Sequence, residues 1–390
     1  MKTAKTTRLL PLLFAISSTP TLAQTLEEPG LTAQIKAAVS HDDNIFKVTE
    51  EFAKSDDLVR VSPNLKMIGA LGKHRFKLSY LGDYAKFKEN KDADYYDHDL
   101  SARIDLIHSL RFSSRFEARY QDEHEDPSAI NRLQLNINEY NKYEQSFALA
   151  GMSYGTEESI GRVDLNYRFA DKNYINNELD FLDHKNNELT LTFSYRIAPQ
   201  TKVYIETEYN DLDYNNTGVI ELDNKYKRYS AGISWKYSEV ITGNLNAGYQ
   251  ERDYSDETIR NVDGLAYDAQ VIWNATSYTS AIINSRKESI DSTIENSGGF
   301  VRTSYSLDLK HELTPLLKLN GKFELAEDEL AIISNRVDKT KSFEFGIEYF
   351  LRRNINIGAS YEVVRRDSTL VIAEFDANIL SLNINITAEN

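Results

Sequence analysis

Leu110-Arg111-Phe112-Ser113-Ser114-Arg115-Phe116-Glu117-Ala118-Arg119-Tyr120 sorts its side chains with a period of two. One face carries Leu110, Phe112, Ser114, Phe116, Ala118 and Tyr120, and the other carries Arg111, Ser113, Arg115, Glu117 and Arg119. A helix would scatter these residues around its circumference, whereas a strand separates them cleanly. Val203, Ile205, Thr207 and Tyr209 stand against Lys202, Tyr204, Glu206 and Glu208 in the same way. So do Leu317, Leu319, Gly321, Phe323 and Leu325 against Lys318, Asn320, Lys322 and Glu324.

Between such segments lie short links near Leu71-Gly72-Lys73, Ser109, Gly155-Thr156-Glu157, Pro199-Gln200, Ser238-Glu239, Thr276-Ser277, Thr314-Pro315 and Arg352-Arg353. Each interval between them holds two strands and one longer polar loop, a hairpin repeat. Eight links join sixteen strands in pairs. A first strand near Leu31–Ser40 and a last near Phe375–Ile386 bring the number to about eighteen. An even number puts both termini on one side, with short turns there and long loops opposite.

The fold class expected is therefore all-β, a transmembrane antiparallel β-barrel. A soluble sandwich or propeller would pack apolar faces on each other and leave polar faces in water. Eighteen strands with charges on one face and Leu, Ile, Phe and Tyr on the other would need helices or a second layer to cover them, and none is evident. A solenoid of roughly 40-residue units would show fixed motifs in each repeat. In a membrane barrel every second residue faces lipid, so a mean hydropathy of −0.51 and 27% charged residues are compatible with spanning. No apolar run reaches the roughly 18 residues of a helical span. The 24 tyrosines suit strands whose rings meet lipid and whose hydroxyls reach the headgroups.

The first residues read as an export signal. Lys2, Lys5 and Arg8 precede an apolar stretch from Leu9 to Ile16, and Thr21-Leu22-Ala23 supplies small residues before a cleavage point at Gln24. Residues 1–23 are thus the expected signal peptide and 24–390 the barrel. The chain has no cysteine, which excludes cysteine-ligated zinc, iron–sulfur clusters and a lipoprotein anchor.

Charges at mid-depth cannot face lipid without costing about 2–4 kcal/mol for each Lys or Arg, so they are expected to line a watered lumen. The residues singled out are Arg103, Arg111, Arg115, Arg119, Arg162, Arg168, Arg196 and Lys202, with Glu117 and Asp164 among the acids that share the face. One reading makes them a salt-bridge ladder that stiffens the wall. Another makes them an electropositive strip that guides an anionic solute, as rings of Arg or Lys do in anion pores. The net charge of −15 is expected to sit largely in outer loops, at Asp122–Asp126, Asp211-Leu212-Asp213 and Ala326–Glu329. His41-Asp42-Asp43 and His124 with its acidic neighbours match no metal-ligand spacing. No Gly-x-Ser-x-Gly, phosphate loop or dinucleotide fingerprint occurs, so no catalytic residue, metal or cofactor and no nucleic-acid partner is assigned. No plug of adequate length precedes the first strand, against an energy-coupled receptor.

Asp42-Asp43-Asn44-Ile45-Phe46, Val61-Ser62-Pro63-Asn64-Leu65, His74-Arg75-Phe76-Lys77-Leu78-Ser79-Tyr80 and Gly82-Asp83-Tyr84 together resemble an outer-membrane β-barrel porin family associated with capsule and exopolysaccharide gene clusters. The architecture matches over nearly the whole mature chain, and these motifs occupy its first quarter. The resemblance implies a porin-like barrel, with polysaccharide export as its role, and brings no catalytic residue. One departure is the end, Leu382 to Asn390, where no terminal aromatic residue follows Ile386. The expected partners are outer-membrane lipid, lipopolysaccharide, the barrel-assembly machinery and periplasmic polysaccharide-export components. The expected state is a monomeric passive channel. A nonspecific porin, a barrel hydrolase and a plugged structural barrel are the alternatives.

Overall fold

The computed structural model describes residues 28–129, 138–215, 221–291, 299–330 and 336–389. The expected signal peptide lies outside the described residues. Eighteen strands run in order within them. The first six are β1 (Gly30–Asp42), β2 (Asp56–Leu71), β3 (His74–Phe87), β4 (Tyr95–Ile107), β5 (Phe112–His124) and β6 (Lys142–Tyr154). Next come β7 (Gly161–Tyr174), β8 (His184–Ala198), β9 (Thr201–Tyr214), β10 (Asn224–Lys236), β11 (Ile241–Tyr254) and β12 (Val262–Thr276). The last are β13 (Thr279–Ile290), β14 (Phe300–Thr314), β15 (Leu317–Leu330), β16 (Val337–Arg352), β17 (Ile355–Ser368) and β18 (Phe375–Glu389).

Each strand pairs antiparallel with its sequence neighbours, and β1 closes the ring on β18 from Thr32 opposite Glu389 to Asp42 opposite Ile379. Closure leaves no sheet edge to be satisfied in lipid. All eight expected links fall on the short turns, and the first and last strands begin within a residue of their expected starts. β1 starts and β18 ends at the short-turn end. The nine longer connections gather at the opposite end, and among the described residues four of them contain a single 3-10 turn.

The alternation of each strand now has a physical side. On β18, Leu380, Leu382, Ile384 and Ile386 point outward and are exposed, while Ser381, Asn383 and Asn385 point into the lumen. On β5, Phe112, Phe116 and Tyr120 point outward and Arg115, Glu117 and Arg119 inward. Buried apolar residues gather at the long-loop end in four clusters, of which the two largest fill the mouth. A barrel of this kind has its apolar mass outside, against lipid, and polar residues within.

Two places depart from a uniform wall. Tyr204 of β9 lies flat against Gly232 of β10, where a Cβ would stand 2.2 Å from the ring, and its hydroxyl donates to Asn244 of β11 at 3.0 Å. The second is a seam. β12 and β13 pair only from Tyr267 opposite Lys287 toward the short turns. Beyond that, Val262–Ala266 of β12 pair with β11 alone, and Glu288–Ile290 of β13 with β14 alone.

Side chains of β11 close the seam. Gln250, 1% exposed, accepts the Ser289 N–H at 2.8 Å and donates to the Leu265 carbonyl at 3.4 Å, standing in for a missing backbone bridge. Arg252 donates to the Ser289 carbonyl at 3.2 Å, to the Ser289 hydroxyl at 3.1 Å and to Asn224 at 2.6 Å. Gly264 takes φ +139 beside this gap, a backbone conformation that L side chains rarely adopt, and Ala266 is fully buried on the inner face.

Candidate functional lumen and its outer mouth

Strand alternation places nine of the ten singled-out residues on the inner face. Arg103 and Arg115 both hold Asp105, at 2.8 and 2.9 Å, so two guanidiniums share one carboxylate. Arg119 forks onto Asp99, with Nε to Oδ1 at 2.7 Å. Arg162 holds Asp164 at 2.7 Å and also reaches Glu157, which Lys202 meets at 2.6 Å. Arg168 pairs with Glu188. Arg196 and Glu117 point inward and make no ion pair among the described residues. Arg111 does not continue this row, because it belongs to the 108–111 turn and is exposed. Alternation read straight through that turn misplaced it.

The inner face holds more charge than the residues singled out. Lys36, Lys66, Lys77, Arg228, Arg286 and Arg302 also point inward, so basic residues run around the wall instead of clustering early. Arg286 meets Asp268 at 2.7 Å, and Arg302 meets Asp328 at 2.6 Å. Applying the same two-residue period to every strand would have found them.

The acidic runs are corrected likewise. Asp122 and Glu123 are in β5, Asp211–Asp213 in β9 and Ala326–Glu329 in β15, so these are strand ends, and of the acids in the three runs Glu125 and Asp126 alone lie in a loop, the β5–β6 connection. Within them the alternation persists: Asp328 is buried on Arg302, while Glu327 points outward to Lys339 at 3.1 Å.

The Asp42–Phe46 motif folds over the mouth. Asp42 accepts the Asn44 N–H at 2.9 Å and Lys47 Nζ at 2.7 Å. Asp43 accepts the Asn378 N–H and Nδ2, both at 2.7 Å, which staples the β1–β2 loop to β18 at the ring closure. Asn44 donates to the Val48 carbonyl at 2.6 Å and the Asp376 carbonyl at 3.0 Å. Ile45 and Phe46, each 1% exposed, then turn inward onto Ala85, Phe87, Ala93, Tyr95 and Tyr140. Tyr140, in the β5–β6 connection, donates to the Ile45 carbonyl at 3.0 Å and stacks on His124 at 4.9 Å. In the same connection the Ser128 carbonyl accepts from Arg366 of β17, six strands away around the ring. The described part of this connection therefore crosses the lumen.

A recurring device turns other strand tips inward. The backbone N–H of an aromatic residue is held by a side chain from the far end of its own loop. Phe87 uses Asp94 and Tyr174 uses Asp183, both at 2.7 Å. Tyr214 uses Asp223 at 2.7 Å, and Tyr254 uses Asn261 at 2.9 Å. Burial pushes the Asp183 carboxyl above the usual range, partly offset by that hydrogen bond. Tyr174, Tyr214 and Tyr254 pack with Leu179, Leu182, Leu212, Leu222 and Ile259 as the second cluster of the mouth.

The groupings examined for metal or catalysis are held otherwise. His41 points outward to Asp57 at 2.8 Å, away from Asp42 and Asp43. His124 holds Asp97 at 2.8 Å. Among the described residues no cluster of three His, Asp or Glu is placed to hold a metal. His108 and Ser114 meet at 2.7 Å near the short turns, but Ser114 is buried and no carboxylate orients the His108 ring among the described residues. That pair lacks the third group of a nucleophilic triad.

Comparison with known proteins agrees with the geometry. OpdO of Pseudomonas aeruginosa is similar in fold, with a TM-score of 0.52 and 12% identity over 93% of this chain and 97% of that one. Pseudomonas aeruginosa OccK2 (OpdF) gives a TM-score of 0.52 at 11% identity, covering 92% of this chain and 98% of that one. Acinetobacter baumannii OccAB2 gives 0.50 at 12%, also over 92% and 98%. None of the curated proteins compared matches. The model of the family described as Putative beta-barrel porin 2 matches residues 31–388, and the chain, an eighteen-stranded outer-membrane barrel, belongs to that family.

Proposed function

We propose that the barrel passively passes a hydrophilic, anionic solute of the saccharide class, in exopolysaccharide export. The observation that carries this is the charge on the wall of β2–β5 nearer the short turns. Lys66, Arg75, Lys77, Arg103 and Arg115 point inward there, against only Asp105 and Glu117. Lys77 stands opposite Arg103 in register, and Arg103 opposite Glu117. A surplus of one sign inside a low-dielectric wall concentrates counter-ions of the other sign. The loops over the mouth narrow the outer end, which favours selection over free leakage.

The test is the reversal potential of single channels in a KCl gradient. Arg103→Gln with Arg115→Gln leaves Asp105 without its guanidiniums and is expected to move the potential toward the cation side. An unchanged potential would contradict anion guidance by this wall. Permeation of acidic against neutral oligosaccharides then addresses the solute class.

A further inference from the structure

Outside the barrel, where β18, β1, β2 and β3 meet near the long-loop end, the surface carries a recess of about 580 Å³. Its floor is Val39, Val59, Leu380 and Leu382, outward residues each just over half exposed. Its rim is Lys86, Lys88 and Lys91, with His41 and Asp57.

The rim is held in place before any ligand arrives. Buried Asp56 accepts the Asn90 N–H at 2.7 Å, Asn90 Nδ2 at 3.0 Å and the Glu89 N–H at 3.0 Å, and Asp94 accepts the Phe87 N–H. These bonds fix the β3–β4 loop, which carries Lys88 and Lys91, beside the apolar floor. The charge is also unbalanced. Elsewhere on the outer collar, Lys227 pairs across strands with Asp253 at 3.2 Å and Lys341 with Asp367 at 3.1 Å. At the recess Asp57 is shared between Lys88 at 3.3 Å and His41 at 2.8 Å, Lys91 Nζ donates to the neutral Phe87 carbonyl, and Lys86 has no ion-pair partner among the described residues.

We propose that this recess binds an anionic membrane lipid, its phosphate-bearing headgroup on Lys86, Lys88 and Lys91 and one acyl chain along Val39, Val59, Leu380 and Leu382. Membrane-facing cations attract anionic headgroups, and an apolar floor adjoining the lipid band takes the chain. The site lies at the closure between the first and last strands, so an occupant would brace the ring.

The test is native mass spectrometry of the delipidated full barrel in detergent, titrated with bis-phosphorylated lipid A, dephosphorylated lipid A and inorganic phosphate. The triple variant K86Q/K88Q/K91Q is expected to bind the bis-phosphorylated lipid roughly a hundredfold more weakly, each lysine contributing about a factor of five. K339Q/K341Q, which removes collar charge on the β16 side, is expected to bind as the parent does. Equal binding by the triple variant overturns the site, as does equal binding of the dephosphorylated lipid. Inorganic phosphate that displaces the lipid at equal concentration would overturn the role of the floor.

Discussion

Phe46→Ala is expected to release the β1–β2 loop from the mouth and raise single-channel conductance. Phe46 is 1% exposed and is wedged edge-on against Tyr140 at 5.5 Å, with Tyr140 in turn against Phe87 and Tyr95. Truncating a buried Phe typically costs about 3–5 kcal/mol. Each 1.4 kcal/mol is a factor of ten, so the closed arrangement should lose about two to three and a half orders of magnitude in its equilibrium. The barrel ladder is untouched by this change, so global unfolding should shift little while a protease gains access to the loop. Unchanged conductance together with an unchanged cleavage pattern would show that the cluster does not hold the mouth.

The second large effect concerns the β12–β13 seam. Arg252→Ala removes the donors to the Ser289 carbonyl, the Ser289 hydroxyl and Asn224, in a place where two strands have no backbone bonds to each other. Breaking a buried charged network by deleting one partner costs about 3–5 kcal/mol. The unfolding midpoint in urea, read by the gel shift between folded and unfolded barrel, should fall accordingly. Arg252→Lys should recover only part, because an ammonium cannot reproduce the planar fork. Gln250→Ala should add to the loss by less than its separate effect, since both side chains close the same gap. A midpoint equal to the parent's in Arg252→Ala would mean the seam bears no load.

The wall of the barrel was legible because its code is local. A period of two, broken by Gly72, Pro199-Gln200 or Thr314-Pro315, needs no tertiary information. The link expected at Ser109 runs on to Arg111, and Leu110-Arg111 continue the β5 alternation by sequence alone, so spacing puts Arg111 on the inner face. Charge on both faces hides the period in the acidic runs, most of which lie in strands that continue past the apolar band. The mouth could not be read at all from spacing. Phe46 and Tyr140 are 94 positions apart, and Ser128 and Arg366 are 238 apart, so nothing local signals that they meet. The Asp42–Phe46 motif did mark the place: Asp42 is held by Lys47, Asp43 by Asn378 and Asn44 by the Asp376 carbonyl.

The lumen combines both earlier readings. Arg119–Asp99 and Arg168–Glu188 are balanced pairs and brace the wall. Along β2–β5 nearer the short turns, five inward basic residues, Lys66, Arg75, Lys77, Arg103 and Arg115, stand against Asp105 and Glu117, and it is this surplus that would act on a solute.

The most direct measurement of the central claim is single-channel recording of the refolded parent protein in a planar bilayer under a KCl gradient. The structure predicts discrete conductance with a reversal potential on the anion side. A folded barrel that conducts nothing, or that prefers cations, would contradict a basic-walled anion channel and favour a lumen sealed by its own loops.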